Sequence, residues 1–213
     1  MTTLLLIRHG QSMANIDDLY VGHTDSPLSP LGLQQADATA QFICDNYHVD
    51  AVYSSDLSRA YCTGKAVADR LGLPVTTTPQ LREINTGIWE GLSFATLAAE
   101  HAEGYSIWQY DIGNAACPGG ESVAQLQDRV VQAVLQIARE NEGKTVVVAS
   151  HATPVRALIC YCTGLGLGTM KDVPWPSTAS VTVLQAHNGT LRLVTASLDA
   201  HLGDMKTELP KNA

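Results

Sequence analysis

Long stretches of this 213-residue sequence carry no positive charge. Lys and Arg are absent from residues 11–50 and again from residues 84–122, and the whole chain has 13 of them against 21 Asp and Glu. With a net charge of −8 there is no basic stripe for a nucleic acid or an anionic membrane surface, so we expect neither partner. The few cations that directly follow apolar runs therefore need a local reason.

The sequence also lacks an apolar run near the roughly 20 residues that cross a bilayer, and it lacks a basic, cleavable leader. We therefore expect a cytoplasmic protein. The cysteines are odd in number and have no metal-ligand spacing, which favours reduced, mostly buried thiols. With 45% apolar residues the chain can bury one sizeable core, so we expect a single domain over residues 1–213 and leave a homodimer open.

Three apolar runs lead into polar residues that can carry chemistry. Residues 4–7 are typical of a strand buried on both faces, and residues 51–55 and 145–149 are β-branched or aromatic runs followed by helical patterns. Alternating strands and helices indicate a parallel sheet, whose carboxyl ends meet at one edge where ligands bind. The side chains that we expect at this edge are Arg8, His9, Arg59 and His151.

The remaining pattern predicts an α/β chain with one inserted segment. Capping residues and periodicity predict helices over residues 30–46, 57–71 and 121–141 and a short strand over 74–78. Asn188-Gly189 between two apolar runs predicts a hairpin, so at least one strand is antiparallel. The irregular residues 84–120 predict a small helical cap, and residues 11–26 predict a loop that could cover the crevice.

Two histidines and two arginines form a poor metal site, because arginine repels a cation, but they suit a dianionic phosphoryl group. We expect His9 to be a nucleophile whose second ring nitrogen donates a hydrogen bond to a backbone carbonyl. Arg8 and Arg59 favour neutral imidazole, because a nearby like charge lowers the pKa of a histidine. Together with His151, they would hold the oxygens of the transferring group.

The leaving oxygen of a phosphate ester also needs a proton, from a carboxyl kept protonated by burial or by the charge of the substrate. Glu83 is our choice, because it follows a strand end and precedes a glycine-rich loop. Glu90 is its competitor and Asp56 a weaker one. A structural salt bridge from Glu83 to Arg82 or Arg59 remains the alternative.

Five motifs occur in a fixed order between residue 4 and about residue 197. They are Arg8-His9-Gly10, Ser55-x-x-x-Arg59-Ala60, Leu81-x-Glu83-x-x-x-Gly87-x-Trp89-Glu90-Gly91, Pro118-x-Gly120-Glu121-Ser122 and Ser150-His151. This ordered set resembles the histidine phosphatase superfamily, with its phosphoglycerate mutase-like fold. The resemblance implies a three-layer α/β/α sandwich, a phosphohistidine at His9, and Glu83 as acid and then base, without metal or cofactor. It also implies phosphate contacts from Arg8, Asn15, Arg59 and His151.

Some positions depart from the pattern of the family. Gln11 stands where many members have Glu, and we expect it beside the pocket with Gly22 and Ala152 as further substrate-binding positions. The acid phosphatase branch has its proton-donating Asp directly after the second histidine, whereas Ala152-Thr153 stands here, which supports Glu83. The mutases continue from their glutamate with Arg-His-Tyr-Gly, and residues 84–87 read Ile-Asn-Thr-Gly instead.

We therefore predict a metal-independent phosphomonoester hydrolase for a small phosphorylated metabolite. The stretches without cations favour one phosphate and little other negative charge, as in a sugar phosphate, a nucleoside monophosphate such as α-ribazole phosphate, or a small aromatic ester. The alternatives are a phosphoglycerate mutase, a phospho-ligand binding module without turnover, and a metal-dependent hydrolase. We expect the cap aromatics either to line the pocket or to form the core of the cap; they are Trp89, Tyr105, Trp108 and Tyr110.

Overall fold

The computed structural model describes residues 1–207 and is built around a six-stranded sheet. Its strands are β1 (Thr2–Arg8), β3 (Ala51–Ser54), β4 (Val75–Thr77), β6 (Thr145–Ser150), β7 (Val181–His187) and β8 (Thr190–Leu198), and a separate two-stranded ribbon consists of β2 (Leu19–Tyr20) and β5 (Leu92–Ser93). The helices are α1 (Met13–Ile16), α2 (Pro30–Asn46), α3 (Ser58–Leu71), α4 (Phe94–Glu100), α5 (Ala102–Tyr110), α6 (Val123–Glu140) and α7 (Ala152–Thr163). Short 3₁₀ turns at residues 79–81, 87–89, 112–114, 167–172 and 200–205 connect them.

The strand order in the sheet is β4-β3-β6-β1-β7-β8. The first four of these strands are parallel, whereas β7 and β8 run antiparallel, so the expected mostly parallel sheet is confirmed. Asn188 and Gly189 have φ values of 48° and 77° at the tip of the β7–β8 hairpin. A type I′ turn needs a positive φ at both central positions, which is why these residues stand there.

Strand β1 separates two apolar cores because its side chains alternate between the two faces of the sheet. Leu4 and Leu6 pack in the core that includes α6, α7 and the cap, whereas Leu5 and Ile7 pack in the core that includes α2 and α3. Each fully buried aliphatic side chain contributes about 1.5–3 kcal/mol to folding. The expected three-layer α/β/α arrangement is therefore confirmed.

The predicted helix ends agree closely with the structure. The Ser29 hydroxyl accepts a hydrogen bond from the backbone N–H of Gly32 at the start of α2, and Gly72 ends α3 in the left-handed conformation. Residues 11–26 differ from the predicted loop, because they form α1 and β2. The N-cap Ser12 and Asn15 make reciprocal side-chain to backbone hydrogen bonds that stabilise this short helix.

The segment predicted as a cap is largely helical, with α4 and α5 packed against each other and with side chains of both in the core that includes Leu4 and Leu6. Helix α5 was not predicted as a helix, since it has no continuous apolar stripe from which a period can be read. Of its aromatic residues, Tyr105 and Trp108 are buried, whereas Tyr110 is 74% exposed. No helix within residues 1–207 is long and apolar enough to span a bilayer.

Two glycines let the segment after β1 cross the start of α2 at close range. A Cβ on Gly10 would lie 2.5 Å from the carbonyl oxygen of Gly32, and a Cβ on Gly32 would overlap the carbonyl oxygen of Gln11. In the structure, that Gln11 oxygen accepts a hydrogen bond from the backbone N–H of Ser29 at 2.8 Å. The crossing therefore fixes where the residues that follow β1 lie.

We predict that Gly32→Ala lowers the free energy of unfolding by about 1–3 kcal/mol, because the added methyl group forces the backbone of Gln11 to move. Urea denaturation followed by circular dichroism measures this change. Gly168→Ala is the matched control, because a Cβ there meets nothing within 4 Å, and it should be close to neutral. Equal stability of the two variants would contradict the close crossing.

Candidate active site

The two histidines predicted to meet do so at the carboxyl edge of the sheet. Arg8 at the end of β1 is in register with Ser150 at the end of β6, so the next residue of each strand enters the same space. The backbone N–H of His9 donates to the carbonyl of Ser150 at 3.0 Å, and the ring centroids of His9 and His151 are 5.1 Å apart. Parallel pairing of β1 with β6 therefore joins residues that lie far apart in the sequence.

His9 is held as a neutral imidazole with one defined orientation. Its Nδ1 lies 2.7 Å from the carbonyl oxygen of Gly10, to which it donates when the proton is on Nδ1, and this leaves a lone pair on Nε2. Burial lowers the pKa of His9 well below its ordinary value, and the charges of Arg59 and Arg8 lower it further against the opposing effect of the Gly10 hydrogen bond. Burial therefore contributes more than the like-charge effect expected from the sequence.

Arg8 and Arg59 are almost fully buried, with 4% and 1% of their surface exposed. Arg8 NH1 donates to the carbonyl of Pro176 at 2.6 Å, and Arg59 donates to the carbonyls of Gly22 at 2.8 Å and Thr24 at 3.0 Å. Within residues 1–207, neither guanidinium has a carboxylate at ion-pair distance, and Arg8 Nε has no hydrogen-bond partner.

Burial disfavours the charged form of both guanidinium groups. Burial lowers the pKa of Arg8 to about 10 despite the opposing charge of Glu83, and it also lowers the pKa of Arg59. Both side chains line one pocket together with His9. Two buried cations without a paired carboxylate make this pocket a site for an anion.

Glu83 lines the same pocket and is nearly buried. Its Oε1 accepts from the backbone N–H of Ile84 at 2.8 Å, and its Oε2 accepts from the backbone N–H of Thr153 at 3.2 Å. Arg82 pairs with Asp56 instead, at 2.5 Å. The alternative of a structural salt bridge between Glu83 and Arg82 or Arg59 therefore finds no support among the ion pairs of residues 1–207.

The two competing carboxylates have other partners. Glu90 accepts hydrogen bonds from the backbone N–H groups of Gly22 and Thr24 and from the Thr86 hydroxyl. Burial acts to raise the pKa of Glu90, but these hydrogen bonds outweigh it and lower the pKa. The hydrogen bonds from Arg82 lower the pKa of Asp56. Neither Glu90 nor Asp56 is among the residues that line the pocket.

His151 is next to His9 but is not among the residues that line the pocket, and it is fully buried. Its Nε2 lies 2.9 Å from the Ser55 hydroxyl, and its Nδ1 has no hydrogen-bond partner within residues 1–207. Burial lowers the pKa of His151 well below its ordinary value, and the charges of Arg59 and His9 lower it further. Both histidines are therefore neutral near pH 7.

The four expected substrate-binding positions divide into two pairs. Asn15 and Ala152 line the pocket, Ala152 as the first residue of α7. Gln11 and Gly22 do not line it, and our expectation for them is not supported by their contacts. The Gln11 side chain accepts from the Ser29 hydroxyl at 2.8 Å, and the carbonyl of Gly22 accepts from Arg59 at 2.8 Å, so both groups are already engaged.

The rest of the pocket wall is formed by four aromatic side chains together with Leu19, Val21, Ser12 and Thr153. Of the four cap aromatics, Trp108 lines the pocket, whereas Trp89 and Tyr105 are buried and do not. Sequence reasoning missed Leu19, Tyr20, Val21, Phe94 and Trp175. They lie in short or irregular segments without periodicity, so no signal marked them. Trp175 is held by Arg156, whose guanidinium carbon lies 3.9 Å from its ring centre.

Two further histidines, His23 and His201, bond groups of the protein itself. His23 Nε2 lies 3.1 Å from the carbonyl oxygen of Glu83, and His201 Nε2 lies 3.0 Å from the Thr39 hydroxyl. Within residues 1–207, no three His, Cys, Asp or Glu side chains come together in a way that could hold a metal ion. The cationic groups that line the pocket are the guanidinium groups of Arg8 and Arg59.

An α/β sandwich that places a neutral histidine beside two buried guanidinium groups at the carboxyl edge of its sheet belongs to the class of phosphoryl-transfer enzymes. A family model described as histidine phosphatase superfamily (branch 1) matches residues 4–199, and this chain belongs to that family. Two curated relatives that match this chain are named as phosphatases, and the chain is a phosphatase of the histidine phosphatase type.

Phosphoserine phosphatase 1 of Hydrogenobacter thermophilus is 30% identical over 211 residues, which cover 99% of each chain. The adenosylcobalamin/alpha-ribazole phosphatase of Escherichia coli is 34% identical over 162 residues, which cover 76% of this chain and 79% of the relative. Among solved structures, Bacillus stearothermophilus YhfR superposes with a TM-score of 0.90 at 27% identity, over 95% of this chain and 100% of that chain.

We predict that the two neutral histidines make the fold sensitive to mild acid. Their pKa values are lowered in the folded state, so below the ordinary value of 6.5 the unfolded chain binds protons that the folded chain does not. Stability should therefore fall with pH below that value, by up to about 1.4 kcal/mol per pH unit for each histidine. Urea denaturation at several pH values between about 7.5 and about 5.5 measures the slope of the free energy of unfolding against pH.

His9→Gln should reduce that slope, because glutamine does not titrate. The matched control is His48→Gln, since the His48 side chain is 95% exposed, and it should keep the wild-type slope. Wild type and His9→Gln falling in parallel would contradict a neutral, buried His9.

Proposed function

We propose that this chain hydrolyses phosphomonoesters through a phosphohistidine on His9, with residues 1–213 acting as one domain. The observation that carries this proposal is the pair of buried guanidinium groups, Arg8 and Arg59, which have no paired carboxylate within residues 1–207 and lie beside a neutral imidazole. A phosphoryl group can accept hydrogen bonds from both at once. In phosphoryl transfer, such an arginine contributes on the order of a thousandfold or more in rate.

In the first half-reaction, the lone pair of His9 Nε2 attacks phosphorus, and the bond from phosphorus to the leaving oxygen breaks. Glu83 gives its carboxyl proton to that oxygen. In the second half-reaction, the Glu83 carboxylate removes a proton from water, whose oxygen attacks phosphorus and breaks the nitrogen–phosphorus bond. The proton on His9 Nδ1 stays on that nitrogen throughout and is donated as a hydrogen bond to the carbonyl oxygen of Gly10, 2.7 Å away.

The remaining contacts follow from which groups are still unengaged. His151 Nδ1, without a partner in the described part of the chain, is available to a phosphoryl oxygen next to His9. The start of α7 at Ala152 adds backbone N–H groups and the positive end of the helix dipole. Asn15 has its side-chain oxygen engaged by Ser12 at 2.9 Å, which leaves its amide N–H₂ to donate to the substrate.

The leaving group that fits this pocket is apolar or aromatic and carries little negative charge. Among the lining residues, Arg8 and Arg59 are the cations, and both are used by the phosphate. The wall around them offers the aromatic faces of Tyr20, Trp108 and Trp175. The Escherichia coli relative is named as an alpha-ribazole phosphatase. An ester of that type fits this wall better than a bisphosphate or a phosphoglycerate, because the second anionic group of either would need another cation.

We predict that His9→Ala keeps the fold and lowers turnover of para-nitrophenyl phosphate by roughly a thousandfold or more, because no other group can form the covalent intermediate.

Wild type mixed with ³²P-labelled substrate and quenched in alkali should retain label on His9. The label should end in free phosphate, whereas in a mutase it would end in a second ester. Activity should persist in EDTA. Retained turnover in His9→Ala would show that His9 is not the nucleophile. Binding of the substrate without turnover in wild type would favour the binding-module alternative.

We predict that kcat/KM for an aromatic monoester or α-ribazole phosphate exceeds that for fructose 1,6-bisphosphate. Trp175→Ala should lower kcat/KM for the aromatic ester by about tenfold, because a lost ring contact costs about 1 kcal/mol or more. Tyr110→Ala is the matched control, since Tyr110 is mostly exposed outside the pocket. A clear preference of wild type for the bisphosphate would refute the charge argument.

A further inference from the structure

Arg129 on α6 connects the backbone before Glu83 to a single carboxylate. Its Nε and NH2 donate to the two oxygens of Glu121 at 2.9 and 2.8 Å, which is a bidentate pair. Its NH1 donates to the carbonyls of Gln80 and Arg82 at 2.8 and 3.1 Å, and NH2 also donates to the carbonyl of Glu83 at 3.2 Å. One guanidinium therefore holds three carbonyls of the segment that carries the carboxyl group in the pocket.

Glu121 holds the same segment on the other side of Glu83. Its Oε2 accepts from the backbone N–H of Asn85 at 2.8 Å, and its own backbone N–H donates to the carbonyl of Asn85, also at 2.8 Å. The Arg129 and Glu121 side chains are 16% and 21% exposed, so this pair is far less screened by solvent than a surface salt bridge.

Residues 82–86 need such contacts because they lie between two 3₁₀ turns and belong to no strand or helix. Leu81 and Ile84 are fully buried and anchor this segment in the core, but apolar contacts do not orient a peptide plane. The carbonyl of Glu83 is oriented by Arg129 and by His23 Nε2, which lies 3.1 Å away. The direction in which the Glu83 side chain leaves the backbone follows from that orientation.

We propose that Arg129, with Glu121, is the positioning residue for the general acid Glu83. This inference rests on the proposed function, in which Glu83 protonates the leaving oxygen. Arg129 and Glu121 do not line the pocket, so they act through the backbone of residues 80–85. A misplacement of about 1 Å in a catalytic group can cost on the order of a hundredfold in rate.

Arginine has a specific use here, since a planar guanidinium presents five donors in a fixed fork and lysine presents three on a flexible stem. Arg129 is also one of the charges that lower the pKa of His151, after burial, Arg59 and His9. Arg129→Lys keeps that positive charge but removes the planar arrangement of donors that holds the carbonyls and Glu121. The variant therefore separates positioning of Glu83 from the electrostatic effect on His151.

The test compares kcat/KM for two substrates, an alkyl phosphate and para-nitrophenyl phosphate. An alkoxide leaves poorly without a proton, whereas nitrophenolate is a stable anion that leaves without one. The parameter kcat/KM covers the reaction up to transfer of the phosphoryl group to His9, so the later role of Glu83 as base does not enter. Glu83→Gln in the same assay gives the full effect of losing the acid.

We predict that Arg129→Lys and Glu121→Gln each lower kcat/KM for the alkyl phosphate by about tenfold to a hundredfold and change that for para-nitrophenyl phosphate by less than about threefold. Arg139→Lys is the matched control on the exposed face of the same helix and should change neither. In the double variant of Arg129→Lys and Glu83→Gln, kcat/KM for the alkyl phosphate should be no lower than in Glu83→Gln alone.

Equal losses on both substrates, or additive effects in the double variant, would overturn the positioning role and leave the phosphatase assignment standing. If Glu83→Gln itself lowers the two rates equally, Glu83 is not the acid, and the proposed mechanism falls together with this inference. Glu121→Gln keeps the shape of the side chain, so it provides the same readout should Arg129→Lys fail to fold.

Discussion

The burial of two guanidinium groups next to His9 is the constraint on which this structure depends. Removing a charged group from water costs several kcal/mol, and a paired carboxylate usually offsets part of that cost. Here the partners of Arg8 and Arg59 are backbone carbonyls of Gly22, Thr24 and Pro176. Carbonyl dipoles orient a guanidinium without neutralising it, so the positive potential remains for an incoming phosphoryl group.

Because backbone carbonyls hold these two arginines, the loops that supply the carbonyls must themselves be well ordered. Glu90 accepts from the backbone N–H groups of Gly22 and Thr24, which fixes the two carbonyls that Arg59 uses. On the other side, the backbone N–H of Ala179 donates to the carbonyls of Arg8 and His9, and Ala179 has a φ of 58°. That conformation costs a non-glycine residue about 1–2 kcal/mol, which these hydrogen bonds help to offset.

Much of the fold could be predicted because its signals are local. The Ser29 cap, the Gly72 helix end and the Asn188-Gly189 turn each depend on the chemistry of a few neighbouring residues. The aromatic wall could not be predicted, because Tyr20, Phe94 and Trp175 come together through tertiary packing alone. The contacts of Gln11 and Gly22 could not be predicted for a related reason, since their partners, Ser29 and Arg59, are distant in sequence.

The proposed nucleophile, His9, and the proposed proton donor, Glu83, differ in how the chain holds them, and this explains why the sequence specified the first more sharply than the second. His9 follows a strand whose pairing with β6 places it to within a residue, so the end of an apolar run was a sufficient signal. Glu83 belongs to no strand or helix, and from the sequence Glu90 remained a competing acid and Asp56 a weaker one. Residues from later in the chain donate hydrogen bonds to Glu83, the Arg129 guanidinium to its carbonyl and the backbone N–H of Thr153 to its carboxyl group. Regular secondary structure therefore positions His9, whereas a network of tertiary hydrogen bonds holds Glu83.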